Sequence, residues 1–252
     1  MKQPSITIQN GHRHTTTGQT GTAGEVDLID KVFYELSPLL IKAGVVVYYD
    51  DANVINGQNT DYFIALHFDG ATNPSYKGGF IDDAPKCPNN GVTPCDNSSD
   101  ASWKFAQKIA DYYFSAMGID FVPGHRTVNS TYYYAFNYTG EKTLQFIIEL
   151  GTLTNPDDRG KLQDYKKIAT LLSQGIIAYL TENDLNYKQY LASQAIGTDK
   201  AEIERLRIEL QAQKDSYTKL QQTTTKQLAD KDTECQSYKS RLQDIKTYVA
   251  NK

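Results

Sequence analysis

The 252-residue chain holds only three cysteines, two methionines and one tryptophan. Three cysteines cannot build the disulfide framework of a small secreted scaffold. Cys87 and Cys95 bracket CPNNGVTPC, where a local disulfide and two free thiols are equally compatible. A zinc knuckle needs two further ligands close by, and none stands there. Cys235 lies far away, in a helical stretch. Positive charge is also scarce. Lys and Arg number 26 against 30 Asp and Glu, a net charge of −4, which argues against an electrostatic nucleic-acid binder. No apolar run reaches the roughly 18–20 residues that cross a bilayer. The opening MKQPSITIQNGH has no apolar h-region, so no signal peptide is expected, and action outside a cell would need another delivery route. From Asp199 onward there is neither Gly nor Pro, so that stretch lacks the residues that punctuate turns.

What is present supports a core, with 39% hydrophobic residues. SITIQN alternates apolar and polar residues and is predicted to be a strand. A Gly/Thr-rich loop follows, then EVDLIDKVFYELSPLLIKAG, with Val26, Ile29, Val32, Phe33, Leu36, Leu39 and Leu40 at helical spacing and Gly44 as a stop signal. VVVYYDD reads as a buried strand, DYFIALHFDGA as a third strand, and GGFID as a short fourth. SSDASWKFAQKIADYYFSAMG reads as a helix, TLQFIIELGTLTN as a buried strand, and QDYKKIATLLSQGIIAYLTEN as a closing amphipathic helix. Alternating strands and helices predict an α/β fold with a mostly parallel, twisted sheet flanked by helices. Residues 1–183 form this domain, 184–198 a linker, and 199–252 a long C-terminal helix. Its apolar residues recur in a heptad-like seam at Ile203, Leu206, Leu210, Tyr217 and Leu220, resuming at Leu228 after a four-residue stutter. So narrow a stripe on so long a helix predicts a coiled coil and a homo-oligomer; a solvated single helix is the alternative.

In parallel sheets the site lies beyond the carboxyl ends of the strands. His12 follows SITIQN, His67 closes YFIAL, Glu149 closes LQFII, and Glu25 starts the helix after the first loop. These four residues can therefore converge on one edge. Catalytic zinc takes three protein ligands from His, Glu and Asp, and a separate carboxylate handles the proton. His12, Glu25 and His67 suit the ligand roles and Glu149 the last. His14 rivals His12, because side chains at i and i+2 of a strand share a face.

NGHRHTTTGQTGTAGE, IALHFDGA and FIIELGTLTNPDD, in that order, resemble the motifs of the zinc-dependent N-acetylmuramoyl-L-alanine amidases of the third type. The resemblance covers residues 4–182. It implies Zn2+ held by His12, Glu25 and His67, with His12 preferred over His14 by its family position, and Glu149 as catalytic general base. It also implies cleavage of the amide between muramic acid and L-alanine in bacterial peptidoglycan. There are departures. Arg13 and His14 stand where the family often has glycine, Ala65 replaces the Ser of Ser-Leu-His, and Asp69 replaces an Asn. His14, Arg126 and Asn155 are candidate substrate contacts, Arg126 because it sits in FVPGHRTVNSTYYYAFNYTG among tyrosines that offer stacking surface. The whole reads as a phage endolysin or virion-associated lysin, held in the host cytoplasm until a partner such as a holin releases it. The rival readings are an assembly protein with an inactive amidase-like domain, and a zinc peptidase acting on another bond.

Overall fold

The computed structural model describes residues 2–13, 21–51, 60–83, 101–122, 125–126, 139 and 142–250. The chain forms two compact units, Met1–Leu191 and Ala192–Lys252. The elements are β1 (Ser5–Asn10), α1 (Glu25–Lys42), β2 (Val46–Asp51), β3 (Tyr62–Asp69), β4 (Phe80–Asp83), α2 (Ala101–Met117), β5 (His125–Arg126), β6 (Leu144–Thr152), α3 (Pro156–Leu162), α4 (Tyr165–Asn183) and α5 (Leu185–Ala250). One six-stranded sheet runs β2-β1-β3-β6-β4-β5. Its four-strand core β2-β1-β3-β6 is parallel, β4 runs antiparallel to β6, and β5 runs parallel to β4.

Period-2 alternation sorts the side chains of the two central strands. Tyr62, Ile64, Leu66 and Phe68 of β3 and Phe146, Ile148 and Leu150 of β6 join one hydrophobic core with α1, α2 and α4. Phe63, Ala65 and His67 of β3, and Gln145, Ile147 and Glu149 of β6, take the opposite face. The core side is closed by Leu28, Ile29, Val32, Leu36 and Leu40 of α1, by Phe105 and Ile109 of α2, and by Ile168, Leu172 and Ile176 of α4.

Two strands differ from the expected burial. The alternation in SITIQN suggests a half-buried strand, yet only Ser5 escapes burial. β1 lies between β2 and β3, and central strands of parallel sheets are covered on both faces. Its polar side chains find partners in place: Thr7 Oγ1 lies 3.0 Å from Thr60 Oγ1, and Asn10 Nδ2 donates to Val26 O and Asp30 Oδ1, while Asn10 Oδ1 is buried without a partner among the described residues. VVVYYDD, expected as buried, contributes the edge strand β2, in which only Asp50 is buried. Asn155 and Pro156 open the short helix α3, Asn155 as its N-cap and Pro156 as its first residue.

Residues 184–198, expected as a linker, are helical from Leu185 onward. Asp184 Oδ1 accepts from Tyr187 N, and Asp184 Oδ2 accepts from the Tyr62 hydroxyl at 2.8 Å. Tyr187 is buried and donates its hydroxyl to Ala43 O. The compact unit therefore reaches to Leu191.

In the second unit every described side chain from Gln194 on is exposed. Ion pairs such as Arg205–Glu202 and Lys231–Glu234 are local, one turn apart, and such exposed pairs are screened by solvent and contribute little. No helix of the described residues is long and apolar enough to cross a membrane.

Candidate active site

The site forms where three chain segments meet at the carboxyl edge of β1, β3 and β6. β1 pairs with β3 up to Asn10↔Leu66. The chain then continues through Gly11, whose N–H donates to Leu66 O at 3.4 Å, to His12. A Cβ at Gly11 would collide with the His67 ring, so the absence of a side chain lets the first loop pass over β3. The rings of His12 and His67 meet edge to face, their centroids 4.8 Å apart.

Glu25 begins α1, and its carboxylate turns back on its own loop. Thr22 N donates to Glu25 Oε2 at 2.8 Å, while Glu25 N donates to Thr22 O at 3.0 Å. These two bonds close the turn that leads through the N-cap, Gly24, into the helix. Glu25 Oε1 accepts from Phe68 N at 3.0 Å, which ties the first turn of α1 to the end of β3. The same oxygen lies 3.4 Å from His67 Nδ1 and 3.6 Å from His12 Nε2. Gly21 has φ +69°, and a Cβ there would come within 2.5 Å of Glu25 Oε2 and 2.7 Å of the His12 ring. Glycine is required both by the backbone and by the space between the two side chains.

His12, Glu25 and His67 are the group, among the described residues, that could hold a metal ion, each offering one ligand atom, with these atoms all within 4.8 Å of one another. Their electrostatics favour that use. Burial pushes the His67 imidazole below its usual pKa, against the raising influence of Glu25. Burial alone would raise the Glu25 carboxyl, but the hydrogen bond with His67 and that from the Phe68 amide bring it below the usual value. A neutral imidazole and an ionised carboxylate are the forms that ligate.

Glu149 stands beside this cluster. It is in register with His67 on the neighbouring parallel strand and with Phe80 on the other side. Burial first, then the charges of Glu25, Asp69 and Asp82, holds its carboxyl well above the ordinary carboxylate range. Its Oε2 is buried without a hydrogen-bond partner among the described residues. A buried, unpartnered carboxylate oxygen is costly in a folded protein.

The other expected residues fare differently. His14 lies outside the described residues, as do Cys87 and Cys95. The backbone of Arg126 is placed on β5, opposite Asp83 of β4. Asn155 caps α3: its Oδ1 accepts from Asp157 N and Asp158 N, and its Nδ2 donates to Pro74 O. Both ends of the side chain are therefore engaged in the fold. Asp69 accepts from its own neighbour, Gly70 N, at 2.6 Å.

Arg13 pairs with Asp30 of α1. Asp30 also accepts from Asn10 Nδ2 at 3.0 Å and from the Tyr49 hydroxyl at 2.7 Å. This polar cluster clamps the residue before and the residue after Gly11-His12. Sequence reasoning missed it because its members come from β1, the first loop, α1 and β2.

Residues 6–178 match the family described as N-acetylmuramoyl-L-alanine amidase. Among curated proteins no relative matches. Three solved structures share the fold. An N-acetylmuramoyl-L-alanine amidase from Clostridium difficile 630 is 18% identical with TM-score 0.56, over 73% of this chain and 100% of that one. The amidase AmiC2 of Nostoc punctiforme is 16% identical with TM-score 0.55, over 71% and 97%. The catalytic domain of the CD27L endolysin targeting Clostridia difficile is 18% identical with TM-score 0.54, over 69% and 97%. The family match spans more than half the chain and includes His12, Glu25, His67 and Glu149, so this chain belongs to the N-acetylmuramoyl-L-alanine amidases.

Proposed function

We propose that His12, Glu25 and His67 hold Zn2+ and that Glu149 is the general base that cleaves the amide between N-acetylmuramic acid and L-alanine. The donor geometry carries this reading. Two imidazole nitrogens stand 3.4 and 3.6 Å from one carboxylate oxygen. Donors about 2.0–2.1 Å from a tetrahedral metal lie roughly 3.3 Å apart, so the cluster needs only small adjustment. When bound, Zn2+ supplies Lewis acidity and brings the pKa of a water close to 7. A dication held by the neighbouring cluster would offset the carboxylate charges that raise Glu149 and favour its ionised form; so ionised, Glu149 takes the proton of the attacking water and returns it to the departing amide nitrogen. His67, kept neutral by burial, and Glu25, kept ionised by its donors, hold their protonation states through this cycle.

The experiment is a digest of purified walls by protein of known zinc content. Wild type should release peptides with new L-alanine amino termini. Glu149→Gln should keep its zinc and lose about 10²- to 10⁴-fold in rate. Equal rates in wild type and variant would overturn the assignment of the base. New amino termini at another residue would make the protein a peptidase.

We further propose that the second unit makes the enzyme a homo-oligomer through the seam at Ile203, Leu206, Leu210, Tyr217 and Leu220. These side chains recur at coiled-coil spacing and are 49–63% exposed. Several catalytic units on one assembly raise avidity for a polymeric wall without any new contact. A catalytic unit joined to a separate helical unit is in keeping with an endolysin or a virion-associated lysin, held in the host cytoplasm until release. Lysis from within on co-expression with a holin, and none without it, tests that role.

A further inference from the structure

A cleft of about 480 Å³ opens beside the metal-ligand cluster, lined in part by Thr22, Asp27, Leu28, Lys31, Leu153 and Arg159. Its size falls in the range of small-ligand pockets, roughly 300–1,000 Å³. It shares a wall with the candidate active site, because Thr22 both lines it and donates to the Glu25 carboxylate. Leu153 lies four residues after Glu149, just beyond the end of β6. The cleft is thus tied to the cluster through Thr22 and to β6 through Leu153.

The charges of the cleft are unusual for this acidic chain. Lys31 comes from α1 and Arg159 from α3, and both line the same cavity. Neither makes an ion pair among the described residues, although surface cations elsewhere in the chain, such as Lys77, Lys108 and Arg205, do. Asp27 is the one carboxylate among the lining residues, so the cations outnumber it two to one.

We infer that this cleft receives the peptide stem of the substrate and that Arg159, with Lys31, binds the free α-carboxylate of the stem's second residue. The inference rests on the amidase reading. It follows from the chemistry of the two halves of the substrate. Once its lactyl carboxyl is in the amide, the glycan at muramic acid is neutral and continues in both directions, which suits an open surface. The stem is short and carries carboxylates close to the scissile bond. Arg offers a planar fork of donors that matches a carboxylate.

The test compares two muramoyl tripeptides that differ only in whether the α-carboxyl of the second stem residue is free or amidated. Wild type should favour the free acid by about tenfold or more in kcat/KM, the effect of one charge-assisted hydrogen bond. In Arg159→Gln the ratio should fall toward one, in Lys31→Gln it should fall part of the way, and Arg159→Lys should restore some of it. Cleavage of both substrates at equal rates by wild type, or an unchanged ratio in Arg159→Gln, overturns the inference and leaves the amidase reading standing. If neither substrate is cleaved, calorimetric titration of the two free tripeptides decides. Tighter binding of the acid, lost in Arg159→Gln, upholds the cleft while the amidase reading fails. Equal binding, or none, overturns the cleft as well.

Discussion

In the first unit Ile6, Ile29, Phe105, Phe146 and Leu172 are at most 1% exposed, whereas in the second Leu206, Leu220 and Leu242 are 49–63% exposed. Both units consist largely of good helix or strand formers at the correct period. The difference is what each period meets. In the first, the apolar faces of α1, α2 and α4 meet one another and a sheet, and apolar area leaves water at about 25 cal/mol per Å². In the second, the apolar stripe of a single helix meets solvent, so local hydrogen bonds and one-turn ion pairs carry the helix. The comparison therefore separates a unit that contains its own core from one whose apolar stripe is left exposed, the stripe through which association is proposed.

The largest effect lies at the site of the first unit. His67→Ala should remove both zinc and turnover, read by metal analysis and by release of L-alanine termini, with activity falling at least about 10³-fold, since that side chain is one of the three proposed protein ligands. Retained zinc at full stoichiometry would show that His67 is no ligand. Next comes the core. Phe146→Ala should cost about 3–5 kcal/mol in chemical denaturation, because the ring is fully buried and packs against Phe105 at 5.3 Å.

A smaller effect is expected at the clamp on the first loop. Asp30→Ala leaves Arg13, Asn10 and Tyr49 without their shared acceptor, a loss of about 1–3 kcal/mol for a buried polar group. It should also weaken zinc affinity by roughly tenfold, as loss of a supporting contact behind a ligand does. Unchanged zinc affinity would limit the clamp to stability alone. The smallest effect on the first unit should come from the second. Leu206→Asp with Leu210→Asp should shift the unfolding free energy of the first unit by no more than about 0.5 kcal/mol, yet light scattering should show a fall to monomer. A monomeric wild type would overturn the association and leave the exposed stripe without a partner.

Much of the first unit was legible because its signals are local. The helical spacing of Val26, Ile29, Val32 and Leu36 and the strand ends before His12, His67 and Glu149 depend on neighbours within a few residues. What was not legible depends on distant ones. Nothing in VVVYYDD says that β2 lies at an edge, since burial is set by whether another strand pairs beside it. TNPDD carries a helix-start signal in Asn155, Pro156 and the two aspartates, but nothing in it says that Pro74 accepts from Asn155. Arg13 looked out of place in a loop where its family often has glycine. Its reason is Asp30, a helix turn and a half into α1, reached only once the loop is folded against that helix.

By itself the sequence determined that four ligating or proton-accepting residues fall at the carboxyl ends of predicted strands or the start of a helix. In a parallel sheet those ends share one edge, so their convergence is a consequence of chain direction. Only the tertiary structure decided which face of β3 and β6 carries the core and which carries His67 and Glu149. It also decided that Glu25 is anchored by Thr22 and Phe68, and that a cationic cleft opens beside the cluster. These depend on contacts between elements far apart in sequence, where burial removes water and makes each charge respond to its neighbours.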